Sequence, residues 1–316
     1  MTEAWRPDGE DGRRGAGGPV KVRVPAKVNL HLGVGPLRRD GYHELNTVYH
    51  AISIYDELTA RPGDTLTLTM EGEGAGELAL DDSNLVIRAA HALAGYAGVL
   101  PHARLHLRKQ IPLAGGLAGG SADAAATLVA CDALWGTRLS REELAGIAAD
   151  LGSDVPFLIH GGTALGTGRG EAVSPVLARP TSWHWVVGIA DGGLSTPAAY
   201  RELDRLREAG TAGPPLGSTD ALLAALRQRD PRVLAAALGN DLQDAALAMR
   251  PALADTLKAG EAAGALAGIV SGSGPTCVFL AADEAHARGL ARDLTAAGVC
   301  REVRVAHGPV AGARIV

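Results

Sequence analysis

Short runs in which apolar and polar residues alternate recur along this chain, separated by longer leucine- and alanine-rich stretches. Val20–Val24 alternates and predicts a first strand, which continues through Pro25–Leu32. In that continuation Lys27, Asn29 and His31 share one face, opposite Val28, Leu30 and Leu32. The polar face fits a solvated surface as well as a functional one. Arg38-Arg39-Asp40-Gly41 carries a turn signal at Asp-Gly. A second strand-like run follows through Val48, Tyr49, Ile52 and Ile54, and Asp64–Met70 alternates as a third. Asp82-Ser83-Asn84 offers capping residues for a helix from Leu85 that stops near Gly95 or Gly98. Residues 103–108 alternate again, and a helix is expected from about Ser121 to Trp135. Ser140 and Glu143 form a capping-box pattern opening a helix that closes near Gly152. The glycines between 161 and 170 punctuate a strand pair.

The second half reads as helices on one face of a small sheet, an α+β pattern. Trp183–Ala190, Leu266–Val270 and Thr276–Ala281 read as strands, with an edge strand at Arg301–Ala306. Helices are expected after Thr196-Pro197, over 219–227, 231–238 and 241–258, and over 283–297. The composition shift at Ala178–Ser182 marks a boundary between a domain over 20–180 and one over 181–316. Residues 1–19, rich in charge and glycine, read as a disordered tail.

Composition narrows the class. At 47% hydrophobic and 21% charged, the chain is that of an ordinary globular protein, and with 3% aromatics its core must rest on aliphatic residues. A formal charge of -5 and the lack of a basic stripe argue against nucleic-acid binding. Cys131, Cys277 and Cys300 are too scattered for a disulfide framework or a zinc site, and the first two sit in apolar runs that predict burial. With no apolar run of 18 residues and no signal-peptide core, a cytoplasmic protein without membrane contact is expected.

The densest chemical signal is Pro112-Leu113-Ala114-Gly115-Gly116-Leu117-Ala118-Gly119-Gly120-Ser121-Ala122, followed by Asp123. Small residues let a backbone come close to a ligand, and a helix starting near Ser121 would point free N–H groups and its positive dipole end at the loop. That suits phosphate, although a flexible loop with a helix cap fits as well. Neither a Walker nor a clean Rossmann pattern is present. Asp154, before Val155-Pro156, is either a helix cap or a carboxylate turned into a cleft. Tyr42 and His43 offer a ring and a hydrogen-bonding edge suited to a base or sugar.

Pro25–Leu30, Pro112–Ala122 and Ser271-Gly272-Ser273-Gly274-Pro275 together resemble the three motifs of the small-metabolite kinases typified by galactokinase, homoserine kinase, mevalonate kinase and phosphomevalonate kinase. Asp40–His43 and Gly152–Pro156 are similar to the isoprenoid-pathway branch acting on a cytidine-diphosphate-linked methylerythritol, and the likeness spans about 20–310. It implies a two-domain fold, with a ribosomal-protein-S5-like N-terminal domain and a ferredoxin-like α+β C-terminal domain. ATP and substrate would lie between the two, and the γ-phosphoryl would move to the substrate's 2-hydroxyl in non-mevalonate isoprenoid biosynthesis. By the same likeness, Lys27 and Asp154 are the catalytic pair and residues 112–122 hold ATP. Asn29, Tyr42, His43, Thr196, Tyr200 and Asp241 would face the substrate, with Mg2+ carried mainly by ATP and Ser121 its nearest side chain. The chain departs from the pattern at Ala114 and Ala118, where a methyl group is tolerable at negative φ, and at Asp123, which would repel a triphosphate unless it points away or helps hold Mg2+. A monomer or weak homodimer is expected. The rival readings are a sibling kinase for mevalonate-like or amino-alcohol substrates and a non-catalytic nucleotide-binding protein. Tyr42, His43 and Tyr200 weigh against the first, and the presence of both Lys27 and Asp154 against the second.

Overall fold

Two long strands, β1 (Val20–Leu37) and β2 (His43–Arg61), pair antiparallel across the turn at Arg38–Tyr42 and form the spine of the first half. The computed structural model describes residues 18–113, 115–177 and 181–316. Most of the expected tail, Ala114, and residues 178–180 of the expected domain boundary lie outside the described residues. The long pairing is broken by register shifts at Pro25/Ala26, Asn29/His31 and Val34/Leu37. Such shifts bend a strand and re-aim its side chains. The polar face of β1 is not solvated: Lys27, Asn29 and His31 are all buried, so both faces of this strand are covered.

The remaining strands of the first sheet are β3 (Thr67–Gly72), β4 (Arg104–Lys109), β5 (Thr163–Thr167) and β6 (Ala172–Pro175). β4 lies antiparallel on β2 and parallel to β3, the two joined through helix α1 (Leu85–Ala97), while β5 pairs with both β2 and β6. α1 begins where the Asn84 side chain accepts from the Val86 N–H and ends at Gly98 in the left-handed region. Helices α2 (Gly119–Trp135), α3 (Arg141–Leu151) and α4 (Val155–His160) complete this half. α2 buries Ala122, Ala124, Ala125, Ala126 and Leu128 in the core it shares with β1 and β2. Its small side chains let helix and sheet approach closely.

The second sheet runs β11 (Glu302–Gly308), β7 (Trp183–Ile189), β10 (Cys277–Ala281), β9 (Ala267–Val270), all antiparallel. Its faces follow the period-two rule. Trp185, Val187, Ile189, Val278 and Leu280 join the core of the first half. Val186, Cys277, Phe279 and Ala281 pack instead with Leu253 and with Leu290 and Leu294, which lie on helices α9 (Ala252–Ala262) and α10 (Glu284–Ala297). Three further helices, α5 (Thr196–Glu208), α6 (Asp220–Gln228) and α7 (Pro231–Ala235), precede a two-residue strand β8 (Gly239–Asn240) and helix α8 (Gln243–Met249). β8 and the last strand, β12 (Arg314–Ile315), both pair with β1, so the second half also contributes to the first sheet.

One expected helix divides. The span 241–258 is broken into α8 and α9 at Arg250-Pro251, because proline has no N–H for the preceding turn and Arg250 is extended, at φ -143°. Cys131 and Cys277 are buried free thiols, as their apolar surroundings predicted. Among the described residues no helix is long and apolar enough to cross a membrane.

Candidate active site

A cleft of about 820 Å³ opens between the two halves, lined on one side by residues 115, 116 and 118–121 and on the other by Thr196, Tyr200 and Ser273, with Lys27 and Asp154 at its floor. Lys27 is 5% exposed, which obliges the protein to compensate its charge. Its ammonium donates to Asn29 Oδ1 at 2.7 Å, stands 3.4 Å from Asp154 Oδ2, and lies 5.5 Å from the ring centroid of Tyr49. Asn29 is held in the required sense by a relay. The single hydroxyl proton of Thr47 goes to His31 O at 2.7 Å, so Thr47 must accept from Asn29 Nδ2 at 2.8 Å. Asn29 Oδ1 is thereby left facing Lys27.

Asp154 is the residue before α4, yet its side chain makes no capping hydrogen bond. Of its two readings, cap or cleft carboxylate, the structure shows the second. Burial raises the hydroxyls of Tyr49 and Tyr200 well above the usual tyrosine range, and the Asp154 charge adds to it. Both phenols therefore stay neutral beside the carboxylate.

The small-residue loop is shaped from the other half. Gly116 has φ 73°, and a Cβ there would overlap the Ser271 carbonyl oxygen, so only glycine fits. Ser271 Oγ donates to Gly116 O at 3.1 Å, and Lys27 N donates to Leu117 O at 3.2 Å. Asn240 Nδ2 in turn holds the second loop through Val270 O at 2.8 Å and Gly272 O at 2.7 Å. α2 starts at Gly119, two residues before the expected Ser121, and the N–H groups of its first turn have no intrahelical acceptor. Residues 115, 116 and 118–121 line the cleft, whereas the Leu117 side chain is fully buried. The loop thus presents small side chains and a helix start to a ligand, an arrangement that fits a polyphosphate.

One expectation about the loop needs correction, and one question it left open is answered. Ala118 sits at φ 58°, not at negative φ. Asp123 lies in the second turn of α2 and points into the core, where Lys109 Nζ reaches its Oδ2 at 2.6 Å and Asp56 Oδ2 at 2.7 Å. Burial, with the Asp56 charge nearby, pushes the Asp123 carboxyl well above the usual carboxylate range. For Lys109 burial alone would lower the ammonium, but the two carboxylates outweigh it and raise it.

At the far end of the cleft His43 and Tyr200 stack on each other, with centroids 5.3 Å apart and planes 19° from parallel. Rings with a base between them stand about 7 Å apart, twice a stacking distance, so these two form one wall together. Tyr42, 53% exposed, lines the same end. His43 Nδ1 lies 2.9 Å from Gly35 O and Nε2 3.2 Å from Asp204 Oδ2. Thr196 Oγ1 and Ser273 Oγ are 2.8 Å apart on the C-terminal wall.

Asp241 is placed elsewhere. Its carboxylate accepts from Val34 N at 2.8 Å, Leu216 N at 2.9 Å and Arg207 Nη2 at 3.1 Å, fastening a loop outside the cleft lining. Tyr49, Ser273, Asp204 and Arg169 line the cleft without having been singled out as site residues. Asp204 was within reach, since it lies one helical turn after Tyr200 on α5.

What this fold and this cleft define is a kinase of the GHMP class. The GHMP kinases N terminal domain matches residues 84–162, and the GHMP kinases C terminal domain matches residues 222–300. The crystal structure of homoserine kinase from Cytophaga hutchinsonii shares the fold, with a TM-score of 0.74 at 18% identity, over 99% of this chain and 100% of that one. Nearer in sequence is a crystal structure of 4-(cytidine 5'-diphospho)-2C-methyl-D-erythritol kinase, 34% identical with a TM-score of 0.72, over 91% of this chain and 98% of that one. Proteins named 4-diphosphocytidyl-2-C-methyl-D-erythritol kinase are 86% identical in Salinispora tropica, over 100% of both chains, and 56% identical in Mycobacterium tuberculosis, over 100% of this chain and 96% of that one. The chain belongs to the 4-diphosphocytidyl-2-C-methyl-D-erythritol kinase family.

Proposed function

We propose that this chain transfers the γ-phosphoryl group of ATP to the 2-hydroxyl of 4-diphosphocytidyl-2-C-methyl-D-erythritol. The observation that carries this reading is the Lys27–Asp154 pair, 3.4 Å apart on the floor of a cleft with a small-residue loop on one side and an aromatic end on the other. The acceptor hydroxyl would sit against Asp154, which takes its proton as the oxygen bonds to the γ-phosphorus and the bond to the β-phosphate bridge breaks. Lys27, held by Asn29, offsets the negative charge that grows on the transferring group. The backbone of residues 115–121 and the start of α2 would cradle the triphosphate.

Mg2+ fits as a companion of that triphosphate. Among the described residues no cluster of three or more His, Cys, Asp or Glu could hold a metal. Ser121 Oγ and the Asp154 carboxylate, both in the cleft lining, would be oxygens able to hold it, and the ion would neutralise phosphate charge. Cytosine recognition falls to Tyr42, His43 and Tyr200, a wall that a substrate as small as mevalonate or homoserine would not fill.

Two measurements test this. Turnover of the cytidine diphosphate substrate should far exceed that of mevalonate and homoserine, and comparable rates would overturn the substrate reading. Asp154→Ala should lower kcat by roughly 10²–10⁴-fold while ATP still binds. Activity retained in that variant would remove Asp154 from its role.

A further inference from the structure

The turn between β5 and β6 places a cation in the cleft that neither the phosphoryl transfer nor the aromatic wall uses. Arg169 stands at its tip, and the turn is fastened to β2 from several directions. Gly168 N donates to Glu44 Oε1 at 3.1 Å, and Leu45 N donates to Gly168 O at 2.7 Å. Gly170, at φ 102°, lies so close to the Tyr49 hydroxyl that a Cβ would overlap it. The Arg169 backbone N–H donates to Glu171 Oε2 at 2.7 Å. With its backbone fixed, the side chain reaches over Tyr42, its guanidinium carbon 5.0 Å from the ring centroid. Nε reaches Glu171 Oε1 only at 3.5 Å, and neither Nη donates to a described residue. A guanidinium stacked on a ring keeps its in-plane N–H groups free for a second partner.

The turn touches both ends of the cleft: Tyr42 belongs to the aromatic end, and Tyr49 packs beside Lys27 at the transfer end. A substrate with a base at one end and an acceptor alcohol at the other must carry its linking diphosphate across the space between. We propose that Arg169 binds that diphosphate, its Nη groups donating to phosphate oxygens while Tyr42 supports the guanidinium plane. The inference rests on the substrate reading above. Phosphate oxygens match the planar fork, which an ammonium cannot reproduce. Arg201 also lines the cleft, from α5, but it is exposed and no hydrogen bond fixes its side chain among the described residues.

Steady-state kinetics of wild type, R169A, R169K and R201A, with ATP and the cytidine diphosphate substrate each varied, test the assignment. R169A should raise KM for the cytidine substrate roughly 10- to 100-fold, the scale of lost charge-assisted hydrogen bonds, with KM for ATP and kcat within about threefold of wild type. R169K should fall between, because it keeps the charge and loses the fork. Added salt should weaken the wild type toward the R169A value. An R169A enzyme whose KM for the cytidine substrate stays within about twofold of wild type overturns the inference, as does a KM rise confined to R201A. A wild-type enzyme that leaves the cytidine substrate unphosphorylated overturns the substrate reading and this inference with it.

Discussion

Ala118 holds a left-handed backbone, φ 58° and ψ 37°, at the residue preceding α2, where no side chain caps the helix. An alanine methyl in that region costs about 1–2 kcal/mol, and alanine is also among the poorer residues at a helix start. Ala118→Gly should therefore stabilise the protein by about 0.5–1 kcal/mol after the extra freedom of glycine in the unfolded chain is subtracted. Urea denaturation checks this, and a lower midpoint in the variant would contradict it. A methyl group is visible in a sequence, but the φ it must adopt is not, and the sequence-based expectation at this position had the wrong sign. Lys27, Asp154 and the glycines around them were legible because their spacing forms a motif. Arg169 was not, since it reaches the cleft only through packing between elements distant in the chain.

At the scale of elements, the Asp56–Lys109–Asp123 cluster ties β2, the end of β4 and α2 together beneath the small-residue loop. Asp56 Oδ1 also accepts from the N–H groups of Gln110 and Ile111, at 2.5 and 2.8 Å, where the chain leaves β4 for that loop. Among the described residues Lys109 is the one cation paired with these two buried acidic groups, and removing it is costly. Lys109→Met should destabilise by about 3–5 kcal/mol. Asp123→Asn should cost clearly less, because burial already favours the neutral form of that carboxyl and the amide keeps its shape. Equal losses in the two variants, measured by denaturant unfolding, would mean that Asp123 carries its full charge. The alternating strands and capped helices were readable from periodicity, as was the helix start at Ser140 with its capping box. The break at Pro251 and the inward turn of Asp123 were not, because both depend on where a helix sits relative to its neighbours.

Across the molecule, His50 lies where the two sheets meet. Its Nδ1 is 2.8 Å from Thr163 Oγ1, and its ring packs edge-on against Trp185 of the second sheet at 5.8 Å. Burial lowers the imidazole to about 3 from its ordinary 6.5. Between those values the unfolded chain binds a proton that the folded chain does not. The stabilisation is thus complete above pH 6.5 and drains away as pH falls toward 3. From this residue alone, stability at pH 5 should lie about 2 kcal/mol below that at pH 7. Unfolding free energies of wild type and His50→Gln at both pH values isolate the imidazole from other titrating groups. A pH slope unchanged in the variant would refute the assignment.

The contact between Gly116 and Ser271 bears on how such chains can be recombined. One loop belongs to each half, and each forms the wall against which the other is shaped. The halves are not modular parts. A hybrid joining the first half of one GHMP kinase to the second half of another is expected to keep the geometry of its small-residue loop best when the residues matching 115–117 and 271–274 come from the same parent, because Gly116 and Ser271 are fitted to each other.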